Sequence, residues 1–140
     1  MSIVVGIENA PHSEVALERA IQLAEALKMD LHVVHVKHIP AALYMSAPVP
    51  AVDFAQIEDE GASATWALVE GHLASTSATV TRETLSGNPA DAMVEYASKI
   101  GADMIVVGSR GMSSFKSLIL GSTSHRVLHL APCDVHIAKS

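Results

Sequence analysis

The chain of 140 residues contains a single cysteine, Cys133, and few charged side chains. A lone cysteine cannot form an internal disulfide bond, which fits a reducing compartment and favours a cytoplasmic location. Charged residues make up 17% of the sequence and hydrophobic residues 49%, a composition that excludes an intrinsically disordered chain. Because 15 acidic residues outnumber 9 basic ones, giving a formal net charge of −6, we expect no general nucleic-acid-binding surface.

Long apolar runs and familiar catalytic motifs are also absent from the sequence. No apolar run approaches the roughly 18 residues that span a bilayer, so no membrane partner is expected. The first residues carry no basic segment, which predicts that there is no signal peptide. The sequence contains no Walker A, protein kinase or Gly-x-Ser-x-Gly motif, and no catalytic base can be nominated. These absences favour binding over turnover and leave enzymatic activity uncertain.

What is present is a regular alternation of β-rich and amphipathic helical segments. The predicted strands are 2–7, 30–36, 78–85, 104–107 and 133–138, and the predicted helices are 14–27, 53–75, 89–100 and 122–130. This alternation predicts a single α/β domain over residues 1–140, with an open five-stranded parallel sheet, helices on both faces and a Rossmann-like architecture. If the first and fourth strands are neighbours, Glu8 faces the turn at Gly108.

The segment from Lys37 to Val52 differs in character from the rest of the chain. It contains three prolines and, with histidine neutral, no charged residue from position 38 to 52. Proline at this density prevents regular structure, yet the segment is too apolar for a free linker. We expect an ordered loop that lies on its own domain, on a partner subunit or on a ligand; a simple surface excursion is the alternative.

One stretch joins a buried strand to a helix through three glycines. Gly108 ends the strand, Gly111 follows, and Gly121 comes after nine more residues, directly before Ser122. Exposed N–H groups of a glycine turn and of a helix N-terminus can bind an anion such as phosphate, and Arg110 could add a formal charge. The alternative is that the glycines only shape the turn and that Ser122 is only an N-cap.

The spacing of these glycines, Gly-x-x-Gly, nine residues and then Gly-Ser, resembles the nucleotide-binding signature of the universal stress protein family. The likeness extends over nearly the whole chain and implies an adenine nucleotide alpha hydrolase-like fold that binds ATP, or ADP or AMP. Mg²⁺ is expected with the phosphates, because it needs few protein ligands. The nucleotide-binding residues implied by the resemblance are Glu8, Val36, Val107, Gly108, Arg110, Gly111, Gly121, Ser122, Thr123 and Ser124.

The resemblance also implies a role for several of these residues. The three glycines and Ser122 would hold phosphates mainly through backbone N–H groups, and Ser124 would add a side-chain bond to the terminal phosphate. The side chains of Val36 and Val107 would flank the base and ribose.

Glu8 departs from the family pattern. The family usually has an aspartate at this position, which helps to hold the adenosine, whereas Glu8 keeps the charge but is one methylene longer. Glutamate could still accept hydrogen bonds from the ribose hydroxyls. It could also intrude and weaken ATP binding, or suit a different nucleotide.

The function implied by the resemblance is a regulatory or stress-response nucleotide sensor that reports occupancy through its shape or assembly. Members often form dimers through the last strand, so a homodimer through Val135–Ala138 is expected, together with a protein partner of unknown identity. Two alternatives stay open: a slow ATPase or self-phosphorylating protein, with a hydroxyl among residues 122–124 as acceptor, and a nucleotide-free dimerisation and partner-docking module.

Eight histidines raise the question of a metal site. His32 and His35 would point to opposite faces of a strand, and His125 and His129 have the i, i+4 spacing of a helical zinc pair. No cysteine–histidine set completes either pair, so no metal site is predicted. Cys133 is predicted to be a buried thiol with no redox role.

Overall fold

The computed structural model of the protein describes residues 1–8, 12–37, 51–109 and 121–139, with only the backbone described at 12 and 51–61. Strands and helices alternate as the sequence predicts. The strands are β1 (Ser2–Ile7), β2 (Asp30–Lys37), β3 (Val80–Ser86), β4 (Met104–Gly108) and β5 (Asp134–Ala138). The helices are α1 (His12–Leu27), α2 (Ala51–Leu73), α3 (Pro89–Ile100) and α4 (Ser122–Leu130). Over the described residues, no helix has the length and apolar character needed to cross a membrane.

The five strands form one parallel sheet in the order β3-β2-β1-β4-β5. The middle strand β1 is strongly apolar, and its residues Ile3, Val4 and Val5 are fully buried. A strand with apolar side chains on both faces must be covered on both faces, which is why such runs occupy the centre of parallel sheets. The predicted open five-stranded parallel sheet is confirmed, and so is the pairing of the first strand with the fourth.

Helices cover both faces of this sheet, as predicted. Against one face, α1 and α2 pack on the odd-numbered residues of β1, with Leu17 and Val69 as examples of their buried side chains. Against the other face, α3 and α4 pack on Val4 and its neighbours, with Met93 and Val127 buried there. At about 25 cal/mol per Å² of apolar surface removed from water, these two cores supply the main driving force for folding.

The order of the strands reverses at β1. The chain passes from β1 to β2 and β3 on one side, and then returns to place β4 on the other side of β1. In open α/β sheets this reversal leaves a crevice at the carboxyl ends of the two central strands, where ligands bind. The fold therefore directs attention to the residues that follow β1 and β4.

Helix α3 shows how the sequence defines an element at both ends. The Asn88 side chain accepts hydrogen bonds from the N–H groups of Ala90 (3.1 Å) and Asp91 (3.2 Å), and Pro89 occupies the first turn. Gly101 ends the helix in the left-handed conformation, with φ of 65°, which favours glycine. Both ends agree with the sequence-based prediction of a turn and helix start at 87–90 and a terminal glycine at 101.

The two edges of the described sheet are β3 and β5. Most residues of β3 are exposed, as the polar, threonine-rich sequence predicts. Strand β5 lies beside β4 alone, so its outer side carries unpaired backbone groups among the described residues. Residues 135–138, through which a homodimer is expected, therefore belong to an edge strand of the described sheet.

Several local predictions differ from the structure. The first helix was predicted over 14–27, but α1 begins at His12, so Ser13 lies within its first turn. Ser122 is the first residue of α4, and the N-cap is Gly121. The predicted loop at 37–52 is described only at its ends, where Lys37 closes β2 and residues 51 and 52 begin α2.

Candidate functional site

A pocket lies at the carboxyl edge of the sheet, where β1, β2 and β4 end and α1, α3 and α4 begin. The space between its lining residues is about 460 Å³ when the part that is open to solvent is included. The described residues that line it form an apolar group and a polar group. The apolar group with glycine is Gly6, Ile7, Val36, Pro89, Met93, Val107 and Gly108, and the polar group is Glu8, Ser13, Thr123 and Ser124. The pocket sits at the strand reversal, the expected ligand site of an open α/β sheet.

Six of the ten residues implied by the sequence lie together in this pocket. Glu8 follows β1, and Gly108 ends the neighbouring strand β4, so the expectation that these two face each other agrees with the structure. The other four that line the pocket are Val36, Val107, Thr123 and Ser124. Their common location is observed, whereas their roles in binding stay predictions.

The remaining four implied residues divide into two groups. Gly121 and Ser122 are at the start of α4, immediately before the two pocket-lining residues of that helix. Arg110 and Gly111 lie outside the described residues. The structure therefore leaves the implied phosphate contacts of the 110–120 segment as predictions.

The three helices that begin at the pocket differ in how their first N–H groups are satisfied. At α3 the Asn88 side chain caps the helix and Asp91 places a carboxylate in the first turn. Helix α1 carries Glu14 in its first turn. Helix α4 has Gly121 as N-cap, with no side-chain cap and no acidic residue in its first turn. Because unpaired N–H groups and the helix dipole attract anions, α4 provides the strongest anion site of the three.

Ser109 joins the ends of the glycine-rich stretch to the sheet. Its N–H donates to the carbonyl of Ala138 (2.9 Å), and its own carbonyl accepts from the N–H of Gly121 (2.7 Å). The resemblance implied that the Gly121 N–H holds a phosphate, but in this structure that hydrogen is already donated to Ser109. This hydrogen bond brings the two ends of the stretch together, and the phosphate role implied for Gly121 stays a prediction.

The hydroxyl of Ser124 also has an internal partner. Its Oγ donates to the carbonyl of Gly121 at 3.0 Å, and the residue is 2% exposed. The implied side-chain bond from Ser124 to a terminal phosphate would therefore require the hydroxyl to rotate away from this carbonyl. Thr123 lines the pocket and is half-buried. Its N–H and hydroxyl are therefore more available to a ligand than the hydroxyl of Ser124.

Ser13 fixes the position of Glu8. The Oγ of Ser13 accepts a hydrogen bond of 2.7 Å from the backbone N–H of Glu8, and both residues line the pocket. This bond ties the end of β1 to the first turn of α1, so the carboxylate is presented from a constrained backbone. The pocket is thus lined by a negative carboxylate that follows β1 and by the first turn of α4, and this combination gives it an electrical polarity.

Sequence reasoning missed five of the lining residues as site residues. Gly6 was seen only as part of a strand, although an isolated glycine in a strand often marks a close approach by another group. Met93 was assigned to the apolar stripe of its helix, and Pro89 to a helix start. Apart from lying near Glu8 in the sequence, Ile7 and Ser13 have no sequence feature that indicates a pocket.

The histidines of β2 belong to different layers, as predicted. His32 Nδ1 lies 2.8 Å from the hydroxyl of Tyr96 on α3, whereas the ring of His35 packs edge-on against Trp66 on α2. Burial lowers the pKa of His32, an effect that Asp30 and Glu83 oppose. Burial also raises the pKa of the Tyr96 hydroxyl.

The rings of His125 and His129 lie with their centroids 4.6 Å apart on α4. Over the described residues, no group of three or more histidine, cysteine, aspartate or glutamate side chains could hold a metal ion. Cys133 is half-buried, which corrects the expectation of a buried thiol. Partial burial raises the pKa of its thiol, and nearby Asp134 acts in the same direction, which disfavours the reactive thiolate.

Comparisons with known proteins agree with this architecture. The model of the universal stress protein family matches residues 1–139. Universal stress protein A homolog 1 of Coxiella burnetii is 35% identical over 136 residues, 95% of this chain and 92% of that protein. The solved structure of universal stress protein UspA from Lactobacillus plantarum shares the fold, with a TM-score of 0.84 at 24% identity over 99% of this chain and 97% of that one. A universal stress protein solved in complex with cAMP has a TM-score of 0.70 at 27% identity, over 99% of this chain and 95% of its own. The chain therefore belongs to the universal stress protein family.

Proposed function

We propose that this protein binds an adenine nucleotide in the pocket at the carboxyl ends of β1 and β4. The observation that carries the proposal is the start of α4, which adjoins the pocket and has neither a side-chain cap nor an acidic residue in its first turn. The cAMP complex of a family member at 27% identity supports the ligand class, because cAMP is an adenine nucleotide. Over the described residues, the only formally charged group lining the pocket is the Glu8 carboxylate.

The electrical polarity of the pocket determines the proposed orientation of the nucleotide. Phosphate oxygens are repelled by the Glu8 carboxylate and attracted by the N–H groups of Thr123 and Ser124 at the start of α4. The ribose hydroxyls can donate to Glu8, whose backbone is held by Ser13. The base then lies against the apolar lining that includes Val36 and Val107.

The finer proposal is that ATP is the nucleotide, accompanied by Mg²⁺, and that the protein acts as a nucleotide sensor in stress regulation. Its support is the glycine spacing of residues 108–122, which resembles the signature of ATP-binding members of the family. A sensor needs two states that the nucleotide stabilises unequally. The backbone hydrogen bonds of Ser109 to Gly121 and to Ala138 connect the start of α4 at the pocket with β5. These bonds are one route by which a nucleotide can stabilise one state more than the other.

We also propose that two chains pair through residues 135–138 of β5. This strand is an edge of the described sheet, and edges in native proteins are commonly covered. Leu128 and Leu130 on the adjacent helix are 48% and 47% exposed, so apolar surface lies close to the same edge. Light scattering at micromolar concentration, with and without nucleotide, should give twice the monomer mass; a strict monomer would contradict this proposal.

Calorimetric titration with ATP, ADP, AMP and cAMP in the presence of Mg²⁺ tests the nucleotide proposal. We expect saturable binding by the unmodified protein. Gly121→Asp places a carboxylate at the start of α4, where it caps the N–H groups and repels phosphate, so affinity should fall by about 100-fold or more. Gly71→Asp is the matched control, because it makes the same change of charge at an exposed helical glycine with no neighbour within 4 Å of an added Cβ.

The result expected is nucleotide binding that Gly121→Asp abolishes and Gly71→Asp preserves. If the unmodified protein binds none of the four nucleotides, the proposal is wrong and the glycine stretch is purely architectural. If both aspartate variants lose affinity equally, the loss is a general effect of charge and the assignment of phosphate to α4 is wrong.

A further inference from the structure

Gly6 and Met93 make the closest approach between a strand and a helix at the pocket. A Cβ placed on Gly6 would lie 2.1 Å from the sulfur of Met93 and 3.0 Å from its methyl carbon. Real Cβ atoms do not come so close to other heavy atoms, so the Met93 thioether occupies the space that a side chain at position 6 would need. Glycine at this position lets the thioether lie directly on the backbone of the central strand.

Both residues of this pair line the pocket. Gly6 is half-buried, whereas its neighbours Val5 and Ile7 are 0% and 2% exposed. Met93 is 3% exposed and still belongs to the lining of the pocket. Val36 and Val107, from the strands on either side of β1, line the pocket on the same face of the sheet as Met93. The Gly6–Met93 pair is thus the base of an apolar recess with a valine on each side.

The chemistry of this recess suits the flat face of an aromatic ring. A thioether is polarisable and makes favourable contacts with aromatic rings, and it adapts its shape more readily than a branched side chain. The recess lies beside the polar group of Glu8 and Ser13, so a ring lying in it can be continuous with a sugar at Glu8. A cation or a phosphate would find no partner among Gly6, Met93 and the two valines.

We propose that Gly6 and Met93 form the surface on which the purine of the bound nucleotide rests, and that the Met93 thioether sets the depth and hence the specificity of the base subsite. The inference rests on the proposed function and assigns the base a contact that the glycine signature does not include. An alanine at position 6 would displace the thioether. The open space next to it is the pocket, so the displaced side chain would occupy the subsite of the base.

The direct test is an NMR titration of protein labelled with ¹³C at its methionine methyl groups. Met93→Val, which deletes the sulfur and methyl carbon, identifies the Met93 signal among the six methionines. On addition of AMP, the Met93 methyl signal should shift along the same saturation curve as the backbone amide of Thr123. Met29, buried in the core on the opposite face of the sheet, is the internal control and should not shift.

Calorimetry on variants of the two residues gives an independent readout. Gly6→Ala should weaken AMP binding by about tenfold, which corresponds to about 1.4 kcal/mol. The double variant Gly6→Ala with Met93→Val should recover most of the affinity, because valine lacks the two atoms that meet the new Cβ. Gly71→Ala, with nothing within 4 Å of its added Cβ, should bind AMP like the unmodified protein.

The outcomes separate this inference from the proposed function. If the Thr123 amide shifts while the Met93 methyl does not, AMP binds but the base lies elsewhere, and the inference alone is overturned. If Gly6→Ala binds AMP as tightly as the unmodified protein, the displaced thioether does not reach the base and the inference is also overturned. If no signal shifts with AMP, the proposed function fails and the inference fails with it.

Discussion

Helices α3 and α4 begin side by side at the same edge of the sheet, yet their first turns are opposite in chemistry. Helix α3 starts with the Asn88 cap, a proline and an acidic residue, and it buries Ala90, Met93 and Ala97. Helix α4 starts after Gly121 with no side-chain cap, and it buries only Ser124 and Val127. The parallel fold gives both helices the same polarity toward the pocket.

The difference shows that position in the fold does not by itself make an anion site. The dipole of α3 is satisfied by its own residues, since Asn88 accepts from two backbone N–H groups and Asp91 adds a negative charge. Arg126 of α4 forms an ion pair with Asp91, with 2.8 Å between Nε and Oδ1, so the two helices are also joined near their starts. Helix α3 therefore satisfies its first N–H groups with its own residues, while no side chain caps those of α4.

Transplanting the asparagine cap to α4 should remove the difference between the two helix starts, with a larger effect than removing the cap of α3. Gly121 has φ −71° and ψ 166°, an extended conformation close to that of Asn88, with φ −72° and ψ 126°, so Gly121→Asn needs little backbone change. The new amide oxygen should take up N–H groups meant for phosphate and weaken nucleotide binding by about tenfold. The free energy of unfolding should rise by about a few tenths of a kcal/mol. Calorimetry and urea denaturation measure the two quantities.

The opposite signs of these two effects make the experiment decisive. A variant that loses both affinity and stability has been damaged rather than capped. A variant that gains stability but binds the nucleotide like the unmodified protein would show that the first N–H groups of α4 do not hold the phosphates.

Removing the cap of α3 should lower the stability of the protein and leave nucleotide affinity nearly unchanged, in contrast to Gly121→Asn. Asn88→Ala leaves the N–H groups of Ala90 and Asp91 without their side-chain acceptor and should lower the free energy of unfolding by about 1 kcal/mol. Nucleotide affinity should change less than about twofold, because Asp91 still repels an anion from this helix start. Urea denaturation and calorimetry again report the two effects, and Asn88→Ser, which keeps a capping oxygen, should retain most of the stability.

The smallest expected effect concerns the contact that fastens α3 to β2. Burial lowers the pKa of His32 in the folded state below its value of 6.5 in the unfolded chain, so the unfolded chain binds the proton more strongly. The contribution of neutral His32 is therefore present above pH 6.5 and is lost as the pH falls below that value. His32→Asn, which keeps an acceptor for Tyr96, should lose less stability than the unmodified protein between pH 7.5 and pH 5.0.

Urea midpoints at the two pH values measure this effect, and the other histidines contribute equally to both proteins. An equal loss of stability in both proteins would show that His32 does not titrate differently on folding.

Much of the fold follows from patterns in the sequence. The alternation of β-rich and amphipathic helical segments predicted a parallel sheet covered by helices on both faces, because strands joined by helices pair in parallel and helices must bury their apolar sides. The predicted ends of the helices and strands were less accurate. Helix propensity changes little over the one or two residues by which the predicted range of α2 differs from the observed one. The caps were not predicted correctly: Asn88 was not foreseen as the cap of α3, and Ser122, the alternative N-cap, is the first residue of α4 after Gly121.

Only part of the candidate site could be predicted from the sequence, and the reason is physical. Residues that follow strand ends, such as Glu8 and Gly108, are brought together by the parallel topology itself, so sequence order was sufficient to find them. The contact between Gly6 and Met93 depends on how far α3 is rotated and shifted over β1, which no periodicity specifies. The bond from Gly121 to Ser109 likewise depends on where a long connection returns to the sheet.

The bond between Ser109 and Gly121 has a consequence for how the chain can vary over evolutionary time. These residues flank positions 110–120, and their hydrogen bond of 2.7 Å sets the distance between the two ends of that segment. When the ends of a loop are fixed by the rest of the fold, doubling its length costs only about 0.6 kcal/mol in closure entropy. Exchanges of side chains between Gly111 and Gly121 are therefore expected to leave the sheet and the start of α4 in place, whereas insertions and deletions would change the nine-residue spacing on which the resemblance rests.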